Sequence, residues 1–277
     1  MNTDQLIDDI LADLKANRIK LPTLPQVALK INDIIDSPKA TAKEIAKVVG
    51  VDAALSARLM QVANSPLVRG SSQVENVQMA VTRMGMQLVR NLVTTFVLRQ
   101  LFHTKYANLR TRMGVLWNHS ARVAAISHVL ANRYTRLRPE EAMLAGLVHD
   151  IGKLPIIAKA EDYPELAEDE AALDELTAKL HTVLGKVIVE AWHFSPDIVT
   201  AVAEHENLQR DSEKLDITDV VTVANLHSYA GKDHPLRAVD WSTVPAIKKL
   251  GLDPAGSIAA LEEARDEILE IQRLLTE

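Results

Sequence analysis

The chain has no cysteine, so disulfides and thiolate metal sites are excluded, and any metal chemistry must use nitrogen and oxygen donors. Aromatic residues are scarce, at 4%. Apolar residues still make up 47% of 277 positions, enough for one large or two moderate cores. Long apolar runs are missing. The stretch at residues 91–98 is closed by Arg90 and Arg99, far short of the roughly 20 residues a membrane span needs. Positive charge is not in excess either: the formal net charge is -6, so neither nucleic acid nor an anionic membrane is expected as a partner. The opening residues, MNTDQLIDDILADLK, are acidic and amphipathic. They resemble neither a signal peptide nor a transit peptide, and a cytoplasmic protein is expected. No segment alternates convincingly as a strand, so the expected class is all-α.

Against those absences stands LAGLVHDIGKL at residues 144–154. Pro139, Glu140 and Glu141 suit a helix start, where proline is tolerated and acidic side chains favour the dipole. Met143, Leu144, Leu147 and Val148 then recur at helical spacing, with His149 and Asp150 in the last turn and Gly152 ending it. Adjacent helical side chains diverge by roughly 100°, so this pair converges on one atom only near a helix end. A metal ion or a bound anion is such a centre.

Helical periodicity covers most of the rest. Residues 4–18 form a first helix, broken by Pro22 and Pro25, and residues 26–37 form a second. Thr41 with Glu44 reads as a capping box, Gly50 ends that helix, and Asp52 caps the next. Residues 77–102 are periodic, with Gly85 as the break. A long helix spans 113–134 and carries His119. Residues 161–175 hold eight acidic side chains and no basic one, which reads as a solvated loop running into a helix start. Helices follow over 181–192, from Pro196 to near His205, over 217–230, and over 257–275, the last amphipathic. Gly185, one turn after His181, leaves room for a close neighbour.

Residues 41–65 resemble a DNA-binding helix-turn-helix. Their charge balance is only Lys43, Lys47 and Arg58 against Glu44 and Asp52, and the second helix offers mostly alanine and serine. Base-reading side chains are lacking, so a structural helix pair is expected.

His119, His149 with Asp150, His181 and His205 are dispersed over four expected helices. Such nitrogen and oxygen donors suit Fe, Mn, Zn or Ni, and a metal beside a phosphate acidifies water and steadies phosphoryl charge. The order His, His-Asp, His, His resembles the HD superfamily of metal-dependent phosphohydrolases, and HDIGK at 149–153 is similar to the phrase of its HD-GYP branch. LPTLPQVALKINDIID at 21–36, ANSP at 63–66, AVTRMGMQLVRNLV at 80–93, WNHS at 117–120, HTVLG at 181–185 and AWHFSPDIV at 191–199 narrow the resemblance to the HDOD family, the HD-related output domains.

That resemblance implies two helical lobes, an N-terminal one over residues 1–105 and an HD-like one over 106–277 that ends in the amphipathic helix. It also implies a role in bacterial signalling or regulation, usually without hydrolase activity. On this basis His119, His149 and Asp150 fall on first-metal positions, and His181 and His205 fall where two-metal members recruit a second ion. Asn225 occupies the place of the last aspartate, and its amide offers a metal no full charge. After His205 the chain reads ENLQRD, without a GYP phrase. Lys153 is placed to meet a phosphate, or to act as a cation near a helix C-terminus. The resulting expectation is a non-catalytic regulatory module with a protein partner or a phosphate-containing small ligand. The alternative is a metal-dependent phosphohydrolase using Asp150 and Lys153. His103, His128, His193, His227 and His234 receive no role.

Overall fold

A computed structural model describes residues 3–276 except 17, 19, 20, 66, 67, 69, 71, 162, 231–235, 237 and 238. Pro66 of the ANSP phrase and His234 therefore lie outside the described residues. The helices are α1 (Thr3–Lys15), α2 (Gln26–Ile35), α3 (Ala42–Val49), α4 (Ala53–Ala63), α5 (Val77–Met84), α6 (Met86–Leu98), α7 (Ala107–Tyr134) and α8 (Pro139–Val148). They continue with α9 (Lys153–Ala160), α10 (Pro164–Glu168), α11 (Glu170–Ala191), α12 (Pro196–Glu204), α13 (Ile217–Ser228), α14 (Pro245–Lys249), α15 (Pro254–Glu263) and α16 (Arg265–Thr276). The protein is all-α, with no strand among the described residues. Among the described residues no helix is long and apolar enough to cross a membrane.

The chain divides into two compact units that exchange their ends. One comprises residues 1–23 and 101–268, and the other residues 24–100 and 269–277. In the smaller unit, Thr41 caps α3 reciprocally with Glu44, and the Asp52 side chain accepts from Leu55 N at the start of α4. Gly85, at φ 77°, separates α5 from α6 in a conformation that favours glycine. Arg58 donates to Leu274 O at 3.2 Å and lies 4.6 Å from the Phe96 ring centroid, so its charge is engaged within the unit.

The larger unit is built on α7, against which α8 and α13 pack, while α11 lies against α9 and α12. Ile126, Leu130, Met143 and Leu147 are fully buried in it. Truncating any one of them to alanine costs about 2–5 kcal/mol. Two local readings need correction. The acidic stretch is more helical than a loop: Asp169 caps α11 by accepting from Ala172 N, and acidic residues at a helix start are favoured by its dipole. Leu173, Leu176 and Leu180 supply the buried stripe, so the helix over 181–192 is the second half of α11. The C-terminal helix is two helices, α15 and α16, broken at Ala264.

Candidate metal centre

Helix α8 stops at Val148, so His149 and Asp150 sit in the turn that joins it to α9 and both face one centre. Gly152 in that turn has φ -67°, which any residue adopts. What requires glycine is space: a Cβ there would lie 1.9 Å from the His181 carbonyl oxygen and 2.5 Å from Gly185 N. Gly185 faces the same approach: its own Cβ would lie 3.4 Å from Gly152 N and would meet the Val202 side chain of α12 at 2.7 Å. Two glycines thus bring the turn onto α11 and place His181 beside Asp150.

Around Asp150, Oδ2 lies 3.4 Å from His119 Nε2 and 3.3 Å from His149 Nε2. Oδ1 lies 3.5 Å from His181 Nε2 and 3.7 Å from His205 Nε2. All five residues named from the sequence are brought together and buried. They form two groups that could each hold a metal ion, His119/His149/Asp150 and Asp150/His181/His205.

The tautomers follow from the backbone. His149 Nδ1 is 2.7 Å from Gly146 O, His181 Nδ1 is 2.7 Å from Thr177 O, and His205 Nδ1 is 3.1 Å from Val202 O. A carbonyl only accepts, so each Nδ1 carries the proton. Ser228 donates its hydroxyl to Asn225 O at 2.7 Å, so its oxygen is left to accept from His119 Nδ1 at 3.4 Å. In neutral rings every Nε2 is then a lone pair. Burial pushes His149 down to about 4 and lowers His181 as well, so both are neutral at physiological pH.

Burial alone would raise the Asp150 carboxyl. The cationic form of His149 and the Lys153 ammonium outweigh it and hold Asp150 well below the usual carboxylate range. At neutral pH the uncharged His149 leaves Lys153 as the formal charge among these, its Nζ 2.6 Å from Asp150 Oδ2. Lone pairs turned on one another around a carboxylate repel unless a cation lies among them. Asp150 Oδ1 and Asn225 Oδ1 are moreover buried without a hydrogen-bond partner among the described residues. The donor set therefore fits a divalent transition metal.

The HDOD domain family matches residues 21–208. The chain belongs to the HDOD domain family. A Shewanella amazonensis SB2B protein, provisionally named a metal-dependent phosphohydrolase, is similar over 99% of both chains, at 29% identity and a TM-score of 0.86. An HDOD domain protein of unknown function from Geobacter sulfurreducens matches over 96% of both chains at 23% identity and a TM-score of 0.68. A provisionally named signal transduction protein from Marinobacter aquaeolei VT8 is 21% identical with a TM-score of 0.61, over 94% of this chain and 61% of that one. The last two likenesses concern the fold.

Three side chains at the centre of this HDOD protein had no signal of their own in the sequence. Tyr229 Oη is 3.4 Å from His119 Nε2, Ser228 meets the same ring, and Glu206 Oε1 is 3.5 Å from His181 Nε2. Glu206 directly follows His205, and that adjacency was the one available hint. Lys153 is engaged with the carboxylate, so the phosphate-facing role expected of it would require that pair to open.

Proposed function

We propose that this HDOD protein is a non-catalytic signalling or regulatory module, cytoplasmic, whose larger unit holds a divalent transition metal (Fe, Mn, Zn or Ni) and acts by binding a protein partner or a phosphate-containing small ligand. The supporting observation is the convergence of Nε2 lone pairs on a carboxylate with an orphaned oxygen. A metal beside a phosphate supplies Lewis acidity and acidifies water. The chain's own residues orient that ion: backbone carbonyls fix His149, His181 and His205, the Ser228 hydroxyl fixes His119, Lys153 keeps Asp150 ionised, and the packed helices exclude water.

Two features favour holding over turnover. Asn225 stands where the family resemblance places a charged ligand. The donors are also enclosed, with His149 and His181 at 0% exposure and Asp150 at 2%, whereas a catalytic ion keeps a position open to substrate. The second reading, a metal-dependent phosphohydrolase, is favoured by the likeness to the Shewanella amazonensis protein. Elemental analysis of protein purified without added metal, followed by a phosphatase and phosphodiesterase panel with Mn and Fe, separates them. The module reading predicts bound metal and no turnover. Turnover abolished by Asp150→Ala would replace it with the hydrolase.

A further inference from the structure

The two oxygens of Asp150 have different surroundings. Oδ2 already faces a fixed positive charge, the Lys153 ammonium at 2.6 Å, in addition to His119 and His149. A divalent ion in that half would share Oδ2, its one carboxylate oxygen among the described residues, with an ammonium, and like charges repel most strongly where water is excluded. Oδ1 is buried with no hydrogen-bond partner among the described residues, and faces His181 and His205.

A second carboxylate stands beside this half, next to His181 but outside the group of Asp150, His181 and His205. Glu206 Oε1 lies 3.5 Å from His181 Nε2, and its side chain is 43% exposed, so it remains hydrated until an ion recruits it. The turn that carries it is pinned. Arg210 ties Glu204 to Asp216, with Nε 2.7 Å from Glu204 Oε2 and Nη2 2.7 Å from Asp216 Oδ2. Leu208 N donates to Glu206 O at 3.0 Å.

We propose that this protein binds one divalent transition-metal ion, held by Asp150 Oδ1, His181, His205 and Glu206, while the Lys153 ammonium takes the place of a second cation on Oδ2. The inference rests on the metal-holding reading above. Two carboxylates neutralise a dication, and two imidazoles complete four protein ligands, the closed set that marks ions with a structural or sensing role. The charge missing at Asn225 is thereby supplied from the other half of the centre.

Chelator-stripped protein titrated with Mn²⁺ or Zn²⁺ by calorimetry, with metal content measured in parallel, tests this directly. Wild type should bind one equivalent. Glu206→Gln, at a half-exposed position that leaves the core intact, should weaken binding by roughly tenfold to a hundredfold, and Glu206→Asp should recover part of that loss. His119→Gln, or Asn225→Ala should the first not fold, should still bind one equivalent. The double variant Lys153→Met/Asn225→Asp should take a second equivalent. Wild type that binds no ion would remove the metal-holding reading and this proposal together. One equivalent lost in His119→Gln but indifferent to Glu206→Gln, or two equivalents in wild type, would overturn this assignment and leave the metal-holding reading in place.

Discussion

Replacing Gly152 by alanine isolates the contact that assembles the centre. The added Cβ would stand 1.9 Å from the His181 carbonyl oxygen, and ordinary contact begins near 3.4 Å, so the turn and α11 must part by about 1.5 Å (3.4 minus 1.9). Both neighbours are backbone, His181 O and Gly185 N, and no rotamer relieves the clash. Overpacking of this kind costs about 3 kcal/mol, which in a chain of this length lowers Tm by roughly 6–12 °C. The same displacement would carry His181 away from Asp150, and metal sites tolerate only about 0.2 Å, so metal affinity should fall by about tenfold or more. Urea denaturation and metal calorimetry read the two effects. Gly114 is the control: it lies within α7 with nothing within 4 Å of an added Cβ, so Gly114→Ala should stabilise by up to about 1 kcal/mol. Gly152→Ala within about 0.5 kcal/mol of wild type, with unchanged metal affinity, would refute the close-approach argument.

His227 is buried, hydrogen-bonded to Ser257, and pushed down by burial to about 4. Between pH 6.5 and 4 the unfolded chain binds a proton that the folded chain refuses, so stability is lost as pH falls through that window, by about 2 kcal/mol at pH 5. His227→Gln should remove that increment from a denaturation series at pH 7 and pH 5, and equal slopes for the two proteins would contradict it. Arg210→Met should cost about 2 kcal/mol in urea denaturation, because buried Asp219 loses one cation and retains Lys249 at 3.4 Å. A cost under about 0.5 kcal/mol would show that the Arg210 cluster is not holding the Glu206 turn. Chelation should lower Tm as well, since an ion at a thousand times its Kd contributes about 4 kcal/mol; an unchanged Tm in metal-loaded and stripped protein would count against a tightly held ion.

Capping chemistry was legible locally. Thr41 with Glu44, Asp52 and Gly85 punctuate the chain where their side chains or backbone freedom require. The dispersed imidazoles were legible only as an ordered set, because spacing along the chain says nothing of distances across α7, α8, α11 and α12. Glu206 escaped notice because its contact with His181 depends on the pinned turn and not on periodicity. The acidic run hid the first half of α11, since charge suggests solvent while Leu173, Leu176 and Leu180 among those charges are buried. The exchange of chain ends between the two units has no local signature: residues 269–277 join the smaller unit through contacts such as Arg58 with Leu274 O.

A cation held at Asp150, His181 and His205 is what the functional reading requires. Diffraction from crystals of metal-loaded protein, recorded at the absorption edge of the added ion, tests it most directly. One anomalous peak within bonding distance of Asp150, His181 and His205 is the expected result. Crystals of loaded protein with no peak there, and with those side chains hydrogen-bonded to solvent instead, would contradict it.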